Sequence, residues 1–189
     1  MLPAVIAVGR FNPPTRGHGV LVKKVLEESK KTGAVPILFI VDGEQSGKDK
    51  TKNPLTGTQR EMYAKKLFPG IKVDVVSSAY QVLEVLDVQG LEPIIWFAGT
   101  DRASNYRRML AGEGLQGQVV EVDREAGEAD GVSATKARNA AVDGDVEEFT
   151  LQMPPDIEPV FLAEVMVQIR EAINGYVDTD RSGDSKSQK

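Results

Sequence analysis

Three short stretches of the chain are apolar from end to end: Leu2–Val8, Val35–Val41 and Pro93–Ala98. Runs of this length read as strands, and a strand apolar throughout has both faces covered, as happens between two layers of helices in a parallel sheet. Two further strands are predicted over Ile71–Val76, which alternates apolar and polar residues, and over Gln118–Val122. Between them lie segments with helical spacing: Val20, Leu21, Val25 and Leu26 after the first strand, and Val82, Leu83, Val85 and Leu86 before the fourth. Strand–helix alternation along the chain predicts an α/β fold, a five-stranded parallel sheet with helices on both faces and right-handed crossovers. The fourth strand, Pro93–Ala98, is the most apolar and is expected at the centre.

Local signals set the helix boundaries. The first helix is predicted from about Gly17 to Lys31, ended by Thr32-Gly33, since glycine readily takes the left-handed cap conformation. Helices are also expected over Thr58–Phe68 (closed by Pro69-Gly70), Ala79–Val88, Ser133–Val142 and Val146–Leu151. A last helix is predicted with Asp156 as its cap, Phe161, Leu162, Val165, Met166, Ile169 and Ile173 as its buried stripe, and Gly175 as its stop. The expected organisation is one domain over 1–155, a C-terminal helix over 156–176 lying on that domain's own sheet or at a subunit interface, and a disordered tail over 177–189. From Asp178 onward no apolar residue remains.

Composition narrows the function. With 189 residues the chain is long enough for a real core. A net charge of −5 argues against broad nucleic-acid binding. The absence of cysteine excludes disulfides, thiolate chemistry and cysteine zinc sites, and fits a cytoplasmic setting. No apolar run approaches the roughly 18 residues of a membrane span, and no signal segment is indicated.

The stretch Gly9-Arg10-Phe11-Asn12-Pro13-Pro14-Thr15-Arg16-Gly17-His18 joins the first strand to the first helix and holds the only histidine. A helix start offers unpaired N–H groups and the positive end of the dipole, which favour an anion, and an imidazole there adds a directed donor. In a parallel sheet, ligands sit beyond the carboxyl ends of the strands. The Gly9–His18 turn, the polar Asp42–Lys52 loop, Gly99-Thr100-Asp101 and the segment before Ser133 all fall there. The loop half-resembles a phosphate-binding P-loop, but its glycines are spaced by three residues and Asp49 stands where Ser or Thr would hold magnesium, so a P-loop is rejected. Lys48, Lys50 and Lys52 read better as solvated loop charges than as phosphate ligands. Gly131-Val132-Ser133-Ala134-Thr135-Lys136-Ala137-Arg138 is a second helix start, with Ser133 as N-cap and an arginine about one turn on.

Thr15-x-Gly17-His18 resembles the [His/Thr]-x-Gly-His signature of the nucleotidylyltransferase superfamily, adenylyl- and cytidylyltransferases with a Rossmann-like core. Val132-Ser133-Ala134-Thr135-x-x-Arg138 resembles its second signature, in the expected order and more than 100 residues further on. Gly-Arg-Phe-Asn-Pro-Pro is similar to the lead-in of nicotinamide-mononucleotide adenylyltransferases and of nucleotidyltransferase-like proteins of tailed phages. Asn53-Pro54-Leu55-Thr56 with Arg60 resembles a segment of phage and archaeal members of the superfamily, and Ala98–Arg102 and Arg124–Gly131 resemble the phage proteins. The Asn53–Arg60 segment reads equally well as a capped surface helix.

The resemblance implies transfer of a nucleoside monophosphate, with AMP from ATP the leading choice, to a phosphomonoester such as nicotinamide mononucleotide, releasing pyrophosphate. Magnesium would accompany the triphosphate with few protein ligands. Thr15, His18 and Arg138 would act on the reacting phosphates. Gly9, Arg10, Phe11, Asn12, Gly17, Gly99, Asp101, Ser133 and Thr135 would bind nucleotide, although Asp101 reads equally as a helix cap. Cytidylyl transfer to another phosphomonoester, or a phage nucleotide-binding or virion-associated module without turnover, are the alternatives. The implied partners are the triphosphate and a small phosphorylated acceptor, with homo-oligomerisation left open.

Overall fold

The computed structural model describes residues 1–44, 47–123 and 130–184. It has five strands, β1 (Leu2–Gly9), β2 (Val35–Val41), β3 (Lys72–Val76), β4 (Leu91–Gly99) and β5 (Gln118–Val122). They form one sheet in the order β3-β2-β1-β4-β5, every pair parallel. The α/β architecture read from the alternation of apolar runs is therefore the one observed. The centre of the sheet is β1 and not β4, which lies one place over. From β1 the chain winds outward through β2 to β3 and then returns to β4 on the other side, so β1 must keep both neighbours. Its Ala4, Val5, Ile6 and Ala7 are fully buried.

Helices α1 (Arg16–Thr32), α2 (Gly57–Leu67), α3 (Ala79–Val88) and α4 (Thr100–Gly112) cover the two faces. Even-numbered side chains of β1 (Ala4, Ile6, Val8) and odd-numbered ones of β2 (Ile37, Phe39) meet Val82 and Leu86 of α3 and Ala103, Tyr106 and Leu110 of α4. On the opposite face Val5, Ala7, Leu38 and Ile40 meet Leu21, Val22 and Val25 of α1 and Ala64 of α2. This is the two-face partition that the period of two in a strand requires. Gly33 ends α1 in the left-handed conformation (φ 71°), as its position predicts.

A third apolar cluster lies apart from the sheet and joins α2 to α5 (Ala134–Asp143), α6 (Val146–Gln152) and α7 (Pro159–Asp184). The stripe expected on the last helix, Phe161 to Ile173, is buried here, against Ala137, Ala141, Phe149 and Tyr63 and not on the sheet. Tyr63 meets Phe161 edge-on at 5.3 Å, and its hydroxyl donates to Gln168 Oε1, which also accepts from Gln59 Nε2 at 2.9 Å. Burial first, and then the nearby Glu164 carboxylate, push the Tyr63 phenol up to about 12. Asp156 does not cap α7. It takes a left-handed backbone (φ 67°), and the helix starts at Pro159, a residue suited to a first turn because its missing N–H has no helical partner to lose. Gly175 does not stop α7 either, since the helix runs through it to Asp184. The remainder of the expected tail, 185–189, lies outside the described residues, as do 124–129 and 45–46 of the loops.

Candidate functional site

The direction of winding reverses between β1 and β4, so the crevice beyond their carboxyl ends is the topological switch point. A cavity of about 440 Å³ opens there. Its wall on one side is the turn after β1. Phe11 takes a left-handed backbone (φ 51°) and its ring folds back over Gly9, where an added Cβ would stand 2.9 Å from the ring. The other side of the same ring faces His18, with centroids 4.4 Å apart. Asn12 is committed by its side chain: Nδ2 donates to the Leu55 carbonyl and Oδ1 accepts the Leu55 N–H, both at 3.0 Å. Phe11 and Asn12, expected to bind nucleotide, both line the cavity and also shape this turn.

His18 occupies the third position of α1, with Thr15 as the N-cap. The Thr15 N–H donates to His18 Nδ1 at 2.9 Å, and the Thr15 hydroxyl lies 2.9 Å from the same nitrogen. The histidine thus reaches back to the cap residue as Glu or Gln does in a capping box. Because Nδ1 accepts, the neutral ring carries its proton on Nε2 and offers a donor there. His18 is 9% exposed, so it is packed more deeply than a surface histidine at a helix start.

The opposite wall is the start of α5. The Ser133 hydroxyl accepts the Lys136 N–H at 3.1 Å, and the Ser133 N–H donates to Gln152 Oε1 at 2.8 Å. Arg138 joins the two walls. Its Nη1 donates to the Asn12 carbonyl at 2.9 Å and its Nη2 to the Thr135 hydroxyl at 3.1 Å. Both partners are uncharged oxygens, so they leave its charge uncancelled. Burial first, and then the charge of Arg10, lower the proton affinity of Arg138, with Asp49 acting in the opposite sense. Two guanidiniums held near each other at one cavity make a setting that an anion relieves.

All the expected site residues line this cavity except Gly9, Gly99 and Thr135. Gly9 and Gly99 line a second cavity, about 790 Å³, between the starts of α3 and α4. Ser77, Ser78 and Tyr80 stand on one side of it and Arg102 and Arg108 on the other, while Arg10 and Asp101 line both cavities. Asp101 is not the cap of α4, because Gly99 holds that position and Asp101 falls in the first turn. Of the loop lysines only Lys52 reaches the first cavity, where it also pairs with Asp49 at 3.4 Å.

Sequence reading passed over two residues. Asp123, directly after β5, lines the first cavity. Gln152, 3% exposed, holds Ser133, and the available signal was an amide between the apolar Leu151 and Met153. Arg60, named in a segment that read equally as a capped surface helix, is itself fully buried.

Comparison with known proteins agrees with this geometry. No curated protein sequence matches the chain. Among solved structures, the nicotinic acid mononucleotide adenylyltransferase of Plasmodium falciparum complexed with NaAD superposes with a TM-score of 0.59 at 10% identity, over 91% of this chain and 98% of that one. A Streptococcus pneumoniae protein described as a macrolide-efflux protein gives 0.55 at 18% identity, over 79% and 56%. TmcAL of Thermotoga maritima gives 0.56 at 12%, over 93% and 58%. The chain thus spans little more than half the length of the last two, and at these identities the likeness is one of fold. Residues 6–140 match the model of one sequence family, a span that includes both cavity walls, and on that match the chain belongs to the cytidylyltransferase-like family.

Proposed function

We propose that this protein is a nucleotidyltransferase that moves a nucleoside monophosphate, AMP from ATP, onto a small phosphomonoester such as nicotinamide mononucleotide. The observation that carries the reading is the pair of cavities meeting at Arg10 and Asp101. The first has two helix starts, a buried histidine and a bridging arginine, which suits a triphosphate. The second has an exposed aromatic, two serines and further arginines, which suits a phosphorylated acceptor carrying a ring.

In the reaction an acceptor phosphate oxygen attacks the α-phosphorus. The bond from that phosphorus to the bridging oxygen breaks, and pyrophosphate leaves with the electron pair. His18 Nε2–H and the Arg138 guanidinium stabilise the charge that develops on the phosphate oxygens, and the start of α5 holds the leaving pyrophosphate. Asp101 and Asp123 are oxygen donors of the kind magnesium takes, alongside water and the triphosphate itself. Bound with the nucleotide, the metal supplies charge neutralisation.

The family description favours a second choice of base, with CTP in place of ATP. Pyrophosphate release from each nucleoside triphosphate, paired with nicotinamide mononucleotide, nicotinate mononucleotide and other phosphomonoesters, tests the reading. Turnover is expected with ATP and a pyridine mononucleotide. Turnover with CTP alone replaces the adenylyl assignment, and nucleotide binding without release for any pair overturns the enzyme reading in favour of a binding module.

A further inference from the structure

Arg60 is fully buried in the first turn of α2, and its guanidinium ties together three separate segments. Nη1 donates to the Arg10 carbonyl at 2.7 Å and to the Val41 carbonyl at 2.9 Å. Nε donates to the Thr56 carbonyl at 3.2 Å, and Nη2 donates to the Asp42 carboxylate. Burial lowers the proton affinity of Arg60 and Asp42 opposes that, so the carboxylate keeps the buried cation charged. Gly57 lets Asp42 approach: a Cβ there would stand 2.3 Å from the carboxylate oxygen.

Lysine cannot copy this arrangement, because three carbonyls and a carboxylate around one planar fork need donors in fixed directions. The segments it joins are the turn after β1, the end of β2 and the start of α2. One of its acceptors is the main chain of Arg10, the residue whose side chain lines both cavities. We infer that Arg60 is a positioning residue: by fixing the Arg10 carbonyl it sets the direction in which the Arg10 guanidinium leaves the backbone, at the place where the two cavities meet. The inference rests on the proposed transfer reaction, for which Arg10 stands where the triphosphate and acceptor cavities meet.

A double-mutant cycle tests it. Met at position 10 keeps the main-chain carbonyl and removes only the guanidinium. A purely structural role of Arg60 therefore survives in Arg10→Met, whereas a role exercised through Arg10 disappears there. Arg60→Lys is expected to lower kcat about tenfold or more with KM for the triphosphate nearly unchanged, since misplacement by about 1 Å can cost up to 10²-fold. In Arg10→Met the same change is expected to lower kcat no further. Asp42→Asn, which keeps the three carbonyl bonds, is expected to show the same pattern at a smaller size, and it carries the test if Arg60→Lys does not fold. Equal losses with and without Arg10, or an unchanged kcat in both variants, overturn the inference while wild-type turnover leaves the transfer reading standing. If no substrate pair turns over, the transfer reading fails by itself. Calorimetric titration of the same proteins with inorganic pyrophosphate then decides: weakening that requires Arg10 supports the role of Arg60, and weakening independent of Arg10, or none, overturns it.

Discussion

Helices α1 and α5 both begin at the first cavity, each with a hydroxyl residue as N-cap, yet they are held in different ways. The start of α1 is packed from below: Thr15, Gly17 and His18 are buried over Phe11, and Asn12 locks the turn to Leu55. The start of α5 is half-open, with Ser133 and Ala134 partly exposed and Thr135 and Lys136 exposed. Its ties are Gln152 on α6 and Arg138. The family match ends at residue 140, so much of what steadies this second wall comes from helices beyond it. A helix start is a generic anion site, and what separates one poised for catalysis from an ordinary one is the shell that holds it still.

Removing the last helix is the harshest way to break the comparison. Six apolar side chains of α7 are buried in the third cluster, and at about 1.5–3 kcal/mol each they rival the roughly 5–15 kcal/mol that stabilises a whole domain. A chain ended at Pro154 is expected to aggregate, as sedimentation would show. A folded monomer would mean that α7 is dispensable to the α5 wall.

Next in size is His18. Replacement by Ala should lower turnover by at least about 10²-fold, as loss of one oriented donor does. It should also lower Tm by a few degrees, because the ring closes the capping box and packs on Phe11, at about 0.5–2 kcal/mol for a lost cap. His18→Gln separates the two parts: Gln can close the box but lacks the imidazole, so Tm should recover and turnover should not. Turnover that recovers with Tm would assign His18 to the fold alone.

Arg138 links the walls, and Arg138→Lys cannot reach Asn12 and Thr135 together. Triphosphate affinity should fall by about 1–3 kcal/mol in calorimetric titration, accompanied by a small drop in Tm that an exposed arginine would not show. Undiminished binding would remove Arg138 from the site.

Gln152→Ala should produce the smallest change. The Ser133 N–H loses its acceptor, and binding of the triphosphate is expected to weaken by about 1 kcal/mol, with α1-side properties such as the His18 ring signals in an NMR spectrum unmoved. A shift of His18 in that variant would show that the two walls are coupled and not independently held.

Much of this was legible in the residues. Apolar runs bounded by Gly, Pro and polar turns located β2, α3 and β5 at their observed boundaries, because strand and helix periods are local properties. Both signatures were readable too, and the fold ties the second to the lead-in of the first through Arg138 and the Asn12 carbonyl. The central strand was not readable from hydrophobicity, since β1 and β4 are both apolar and the order of strands depends on where each crossover lands. Gln152, and the burial of Arg60, were not readable for the same kind of reason. A polar residue in a helix reads as a solvated one until its acceptors are known, and those of Arg60 lie on Arg10, Val41 and Asp42, far away in the chain.

The sequence by itself determined the α/β alternation and the two helix starts, because period and capping are written in neighbouring residues. Only the tertiary structure decided that β1 is central, that α7 lies on helices and not on the sheet, and that one buried guanidinium holds the turn at which two cavities meet. Those outcomes depend on packing between segments distant in sequence, where a hydrogen bond to a main-chain carbonyl leaves no trace in the identity of the residue that accepts it.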